Sequence, residues 1–364
     1  MSLMKSILEA LRDKKTRNSI ILFIISIGCF FINTTNIVLG LVIHSIAMIP
    51  LAFMLGEFTS SISEYIGEKK GGLLAATLGN LPEIIMSIWS LRLGLISMVQ
   101  AAMIGCIVNN MLLVLGVSIL LGGIKYKQQT FNKNNAKTNF TMLLLAMSSM
   151  VVMACIDNYS SISSETIIKI SAAVSIILIC VYVLGLIYSL YTHSNLILGN
   201  DQTENMELKE LDKRGLVILF IKIIVISLAI YFLAEKVIND ANVVIKSFRI
   251  SEGFMGIILI PILGNIGENI SAIMCAVKNK VNLSLEIAIG SGIQIALFAT
   301  PILVLIAFLL GIQIALVFSV LNIIIAGLAI FMSYIVFADG STNWFEGTVL
   351  IAVYVIITIC YFFV

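Results

Sequence analysis

Runs of about 20 predominantly apolar residues recur along this 364-residue chain from one end to the other, which leaves it few folds to choose from. Backbone in hydrocarbon has no water to bond with, and a helix satisfies its N–H and C=O groups internally. Such spans fall near 19–33, 37–65, 71–91, 97–122, 140–156, 166–191, 216–236, 252–277, 284–309, 313–336 and 345–363. The chain therefore reads as an all-α polytopic membrane protein with about eleven transmembrane helices. With 60% hydrophobic and 12% charged residues, a soluble globular domain is excluded. Residues 1–18, with Lys5, Arg12, Lys14, Lys15 and Arg17, read as a cytoplasmic tail, since no small-x-small cleavage site precedes the next span.

Within this apolar background one polar pattern occurs twice. Leu78-Gly79-Asn80-Leu81-Pro82-Glu83 returns as Leu263-Gly264-Asn265-Ile266-Gly267-Glu268, with Pro261 just before it. Asn and Glu three residues apart share one helix face. A carboxylate inside a membrane costs at least about 2.5 kcal/mol and so marks a candidate functional site. Glu83 to Gly105 and Glu268 to Gly290 are both 22 residues, so one offset of 185 superimposes the motifs and the helices that follow. It places Asn80 on Asn265 and Asn109 on Gln294, giving each half a carboxylate and two amides. This is the signature of a duplicated transporter, and equivalent residues are expected to play equivalent roles.

The Lys and Arg residues orient the spans. With the N-terminus inside, 17 fall on inner segments and 5 outside, which puts the N-terminus in the cytoplasm and the C-terminus outside. The Glu83 and Glu268 helices then run in opposite directions. The halves are inverted repeats of five helices: 1–36 holds the tail and an extra first helix, 37–192 the first repeat, 193–215 a cytoplasmic linker and 216–364 the second repeat.

Pro50, Pro82, Pro261 and Pro301 all lie in apolar spans and are expected to bend them. Carbonyls freed near Glu83 and Glu268 can face an ion, because Gly79, Gly264 and Gly267 admit close backbone approach. Two carboxylates, amide oxygens, carbonyls and water form an all-oxygen shell suited to a hard cation such as Ca²⁺. The six cysteines, Cys29, Cys106, Cys155, Cys180, Cys275 and Cys360, stand singly and read as small core residues. His44 and His193 read as lone residues, and Glu286, Asp339 and Glu346 as solvated or capping groups. No Walker loop, Gly-x-Ser-x-Gly elbow or His-Glu-x-x-His occurs, so an enzyme has no residues to run it and transport is secondary. A passive channel is the second class, less suited to charges confined to one midplane pair.

The paired blocks, Gly56-Glu57-Phe58-Thr59, Gly105-Cys-Ile-Val-Asn-Asn-Met-Leu-Leu-Val-Leu-Gly116, Gly290-Ser-Gly-Ile-Gln294 and Asp339-Gly-Ser-Thr-Asn-Trp-Phe-Glu-Gly347 resemble the calcium/proton antiporters of the cation/Ca²⁺ exchanger superfamily. The resemblance covers nearly the whole chain. It implies cation ligation at Glu83 and Glu268, support from Asn80 and Asn265, and pathway acids at Glu57 and Glu235, with Ca²⁺ and H⁺ as substrates and no cofactor. The paired blocks are shared with sodium/calcium exchangers, so a Na⁺-coupled exchanger is the alternative. The sequence departs from the family pattern at Asn269, where His follows the second Glu, at Ser60, where a second Glu stands, and at Cys106 and Asn109, where serines are expected. Other readings stand beside these: interhelical hydrogen bonding for Asn109 and Gln294, interfacial snorkelling for Glu57 and Glu235, and a Ca²⁺-sensing rather than merely solvated role for the acidic linker. The expected partners are the lipid bilayer and the two ions, with no nucleic acid and with homo-oligomerisation open. The expected location is a prokaryotic plasma membrane, with Ca²⁺ carried out and H⁺ in.

Overall fold

The computed structural model describes residues 14–62, 77–189 and 213–363. Its helices are α1 (Lys14–Phe30), α2 (Ile37–Ser61), α3 (Leu81–Arg92), α4 (Ile96–Val108), α5 (Leu115–Tyr126), α6 (Lys133–Tyr159), α7 (Ser164–Ile187), α8 (Lys213–Phe248), α9 (Glu252–Gly264), α10 (Ile266–Val277), α11 (Val281–Gln294), α12 (Thr300–Leu309), α13 (Val320–Phe337) and α14 (Trp344–Phe362). Short side chains start many of them. Asn36, Ser163, Ser251 and Ser319 each accept a hydrogen bond from the backbone three residues on, and Asn343 forms a capping box with Glu346. The Asn33–Asn36 break thus separates α1 from α2 as expected, and Glu346 caps a helix.

Among the described residues eight helices are long and apolar enough to cross a membrane, or nine when α9 and α10, bent by 65°, count as one span. The chain is an all-α polytopic membrane protein. The expected eleven spans are not all matched: α1 is shorter than a full span, and the stretch near 71–91 is described only from residue 77, where α3 has 12 residues. Most of the 193–215 linker lies outside the described residues, His193 with it. One small β-ribbon joins the halves, β1 (Gln128–Thr130) pairing antiparallel with β2 (Ser341–Asn343).

Two π-helical stretches, Asn109–Val114 between α4 and α5 and Ile295–Ala299 between α11 and α12, occupy positions related by the sequence offset. These two long composite helices are largely buried and form the centre, while α7, α8 and α14 turn much apolar surface outward. Backbones meet where side chains are absent. A Cβ at Gly105 would stand 2.7 Å from Cα of Ile257, bringing α4 against α9, and one at Gly116 would stand 3.0 Å from the Gly347 carbonyl, bringing α5 against α14. In lipid such contacts between small residues supply the packing that water would otherwise drive.

Two expectations need correction. Pro50 and Pro261 lie inside helices and Pro301 lies inside the continuous Val281–Leu309 helix just after its π stretch, but Pro82 sits in the first turn of α3, where the missing N–H has no intrahelical partner to lose. Of the cysteines only Cys106 is buried; Cys155, Cys180 and Cys360 are exposed on the outer face of the helix bundle, where a thiol is compatible with lipid.

Candidate cation site

Both polar blocks break a helix in the same way. Asn80 has φ −89 and ψ 11, Asn265 has φ −88 and ψ 8, and each stands at the N-cap of the next helix without using its side chain as a cap. The amides are therefore left for other work. Glu83 and Glu268 lie in the first turns of α3 and α10, where the positive end of the helix dipole favours a carboxylate.

The carboxylates cross between the halves. A Cβ built on Gly264 would lie 2.5 Å from Cδ of Glu83, and one built on Gly79 would lie 2.7 Å from Oε1 of Glu268. Under the offset of 185, Glu83 maps to Glu268 and Gly79 to Gly264, so the two contacts are one contact seen from each side. Reciprocity of this kind is what a two-fold relation between halves produces. Glu83 is 1% exposed, whereas Glu268 is half-buried.

Amides and hydroxyls surround the pair. Asn80 Nδ2 donates to Gln294 Oε1 at 2.7 Å, crossing from the first half to the second. Asn109 Nδ2 donates to Asn110 Oδ1 at 3.3 Å, Asn110 Nδ2 to Ser291 Oγ at 2.9 Å, and Ser291 Oγ to Asn265 Oδ1 at 3.1 Å. Asn265 Nδ2 in turn donates to Cys106 Sγ at 3.6 Å and to the Pro261 carbonyl at 3.3 Å. All six expected site residues lie in this region, but the amides are not equivalent: Asn80 reaches Gln294, whereas Asn265 turns to Cys106 and Ser291.

Among the described residues, the buried oxygens here that accept no hydrogen bond from another residue include both carboxylate oxygens of Glu83, Oε2 of Glu268 and Oδ1 of Asn109. Unpaired acceptors so deeply buried are costly. Among the described residues no three His, Cys, Asp or Glu side chains gather around one point. The donor set is two carboxylates with amides and hydroxyls, a set of hard oxygens that suits Ca²⁺ better than a thiolate-seeking or imidazole-seeking metal.

The two remaining sequence candidates lie apart. Glu57, on α2, lines a cavity of about 470 Å³ with Phe23 and Lys222, and Glu235 is half-buried on α8. Three participants went unassigned in the sequence: Asn110, Ser291 and Cys106. Cys106 and Ser291 are related by the same offset of 185 and both touch Asn265, so carrying the offset through the whole helix finds them. The π stretches beginning beside Asn109 and Gln294 have no comparable signal, though such bulges commonly mark functional sites.

The sequence model of the family described as sodium/calcium exchanger protein matches residues 36–191 and 218–363. Among curated proteins, a Ca²⁺/H⁺ antiporter of Aphanothece halophytica is 36% identical over 330 residues, an alignment that covers 88% of either chain. The Ca²⁺/H⁺ antiporter ChaA of Bacillus subtilis is 34% identical over 325 residues, 88% of this chain and 91% of that one. Among solved structures, the Ca²⁺/H⁺ antiporter protein YfkE superimposes with a TM-score of 0.79 at 29% identity, over 96% of this chain and 100% of its own.

Proposed function

The chain belongs to the sodium/calcium exchanger protein family, and within it we propose that this protein exchanges Ca²⁺ for H⁺ at the site formed by Glu83 and Glu268, by alternating access. The observation that carries this reading is the reciprocal placement of the two carboxylates on Gly264 and Gly79, with their oxygens largely unpaired. Ca²⁺ takes about 6–8 oxygen ligands, and the carboxylates, the amide oxygens of Asn80, Asn265, Asn109 and Gln294, and water supply them.

Exchange follows from the cost of an empty site. Removing an ion from water without compensation costs several kcal/mol, so two bare carboxylates in one buried site hold either protons or a divalent cation. One Ca²⁺ displaces up to two protons. The halves rearrange in the proton-loaded or Ca²⁺-loaded form and not in the doubly charged empty form, which makes the exchange obligatory. Glu57 and Glu235 serve as acids on the paths to the site. The Lys and Arg distribution supports an N-terminus in the cytoplasm and a C-terminus outside, and the proposed setting is the plasma membrane of a prokaryote, with Ca²⁺ carried out.

Uptake of radioactive Ca²⁺ into vesicles tests this, with either a pH gradient or a Na⁺ gradient imposed. Uptake driven by the pH gradient is expected. Uptake driven only by Na⁺ assigns the protein to the sodium-coupled mode, and flux that follows voltage without exchange assigns it to a channel.

A further inference from the structure

His44, which looks solitary in the sequence, is buried in the first half of α2, with Nδ1 2.6 Å from Oδ2 of Asp240 on α8, 196 residues away. Gly40, one turn earlier on the same face, lets the α2 backbone approach the same carboxylate: a Cβ there would stand 3.3 Å from Oδ2 of Asp240 and 3.1 Å from Oγ1 of Thr34. The other ring nitrogen of His44, Nε2, is buried and has no hydrogen-bond partner.

The remaining charged groups on the helices packed against α2 are otherwise placed. On α8, Lys236 donates to Asn33 Oδ1 at 3.1 Å and lies over the Phe30 ring, Glu235 is its neighbour, and Lys246 is near the helix end, while Lys213, Arg214 and Lys222 lie toward the helix start. The charges of α1, Lys14, Lys15 and Arg17, are at its start. Among the described residues α9 contributes only Glu252, in its first turn, and α10 only Glu268.

We propose that His44 and Asp240 form a second proton-binding site, separate from the central carboxylates, whose proton occupancy is coupled to movement of α2 against α8. One proton is held between Nδ1 and Oδ2, so a further proton enters at Nε2. In this packing that N–H would be a buried donor without an acceptor. Uptake therefore requires a second packing of α2, in which Nε2 finds an oxygen, and the two packings differ in proton occupancy.

Both helices brace the cation site. The α2 backbone lies on Gly267, whose Cβ would stand 3.4 Å from Cα of Phe53, immediately before Glu268. On α8, the Tyr231 carbonyl accepts from Trp89 Nε1 at 3.1 Å and its hydroxyl from Arg92 at 3.0 Å, which ties α8 to α3 and hence to Glu83. Filling the central site and protonating His44 thus bias one another, a coupling that rests on the Ca²⁺ reading above.

The chain contains two histidines, so His193→Asn leaves His44 as the single imidazole in the full-length protein for ¹⁵N NMR in nanodiscs. The expected spectrum shows Nδ1 protonated and Nε2 bare at alkaline pH. It also shows one titration, with a midpoint that moves by about half a pH unit when Ca²⁺ is added, and Asp240→Asn in the same background is expected to abolish that movement. A ring that stays in one form from about pH 5 to about pH 9 overturns the proton site. A titration identical with and without Ca²⁺, while calorimetry shows Ca²⁺ bound, overturns the coupling. If calorimetry shows no Ca²⁺ binding, the exchange reading fails, and the titration of the Ca²⁺-free protein still decides the proton site.

Discussion

Glu83 lies across the backbone of Gly264, so close that a Cβ at Gly264 would stand 2.6 Å from its Cγ and 2.5 Å from its Cδ. The glycine is there because the carboxylate occupies the volume any side chain would take. Glu268 meets Gly79 more loosely, through Oε1 alone at 2.7 Å, with Cδ at 3.9 Å.

Alanine at these glycines is expected to displace the carboxylates rather than unfold the protein, because the atoms in the way belong to a movable side chain. A displacement of about 1 Å is enough to cost roughly 100-fold in a positioned site. Gly264→Ala is therefore expected to lower exchange severely, and Gly79→Ala less so, with thermal stability little changed in either. Equal loss in both, measured as initial Ca²⁺ uptake, would contradict the difference in contact. Gly105→Ala is expected to behave oppositely, costing about 1–3 kcal/mol of stability, because its Cβ would meet the backbone of Ile257.

Glu83→Gln and Glu268→Gln are each expected to abolish exchange in a folded protein. The amide keeps the volume while removing the charge and the exchangeable proton. Gel filtration together with vesicle uptake checks both halves of this statement, and full transport by either variant would end the two-carboxylate mechanism.

Much of the site was legible in the sequence because it is written twice. The offset of 185 singled out both carboxylates and the four amides of the candidate site, and in the structure Asn80 meets Gln294 while Asn109 and Asn265 are joined through Asn110 and Ser291. An offset says which residues correspond but not which of them touch. His44 illustrates the limit, since its partner Asp240 lies 196 residues away and belongs to no repeated block. The π stretches were also hidden, because a run such as Asn109–Val114 has the same apolar composition in an α-helix as in a π-helix. The number of spans was blurred at α1, which is shorter than a full crossing, and near 71–91, where α3 has only 12 residues among those described.

The pH dependence follows from shared ligands. Protons and Ca²⁺ draw on the same carboxylate oxygens, so the apparent Kd for Ca²⁺ is expected to rise as pH falls. The rise is about tenfold per pH unit if one proton is displaced and about 100-fold if two are. Equilibrium Ca²⁺ binding across a pH series reads the number directly from the slope. Asn109→Ala is expected to shift the whole curve without changing its slope, since an amide does not titrate in this range. A Kd independent of pH would show that protons and Ca²⁺ bind at different places.

The broken equivalence of the amides gives the most discriminating test. Asn80 reaches Gln294 across the repeat boundary at 2.7 Å, yet the corresponding pair, Asn265 and Asn109, is engaged elsewhere: Asn265 with Cys106, Pro261 and Ser291, and Asn109 with Asn110. The physical reason is side-chain length, as Asn109 is one methylene shorter than Gln294. Residues in contact or in one hydrogen-bond network couple by about 0.5–3 kcal/mol. A double-mutant cycle of Ca²⁺ affinity is therefore expected to show strong coupling between Asn80→Ala and Gln294→Ala, which touch directly, and weaker coupling between Asn265→Ala and Asn109→Ala, which are joined only through Asn110 and Ser291. Asn109→Gln restores the missing length and is expected to strengthen the coupling with Asn265. If both wild-type pairs couple equally, the four amides act as one symmetric shell around the cation and the asymmetry has no bearing on binding. If neither couples, the amides hold helices together and leave coordination to the two carboxylates.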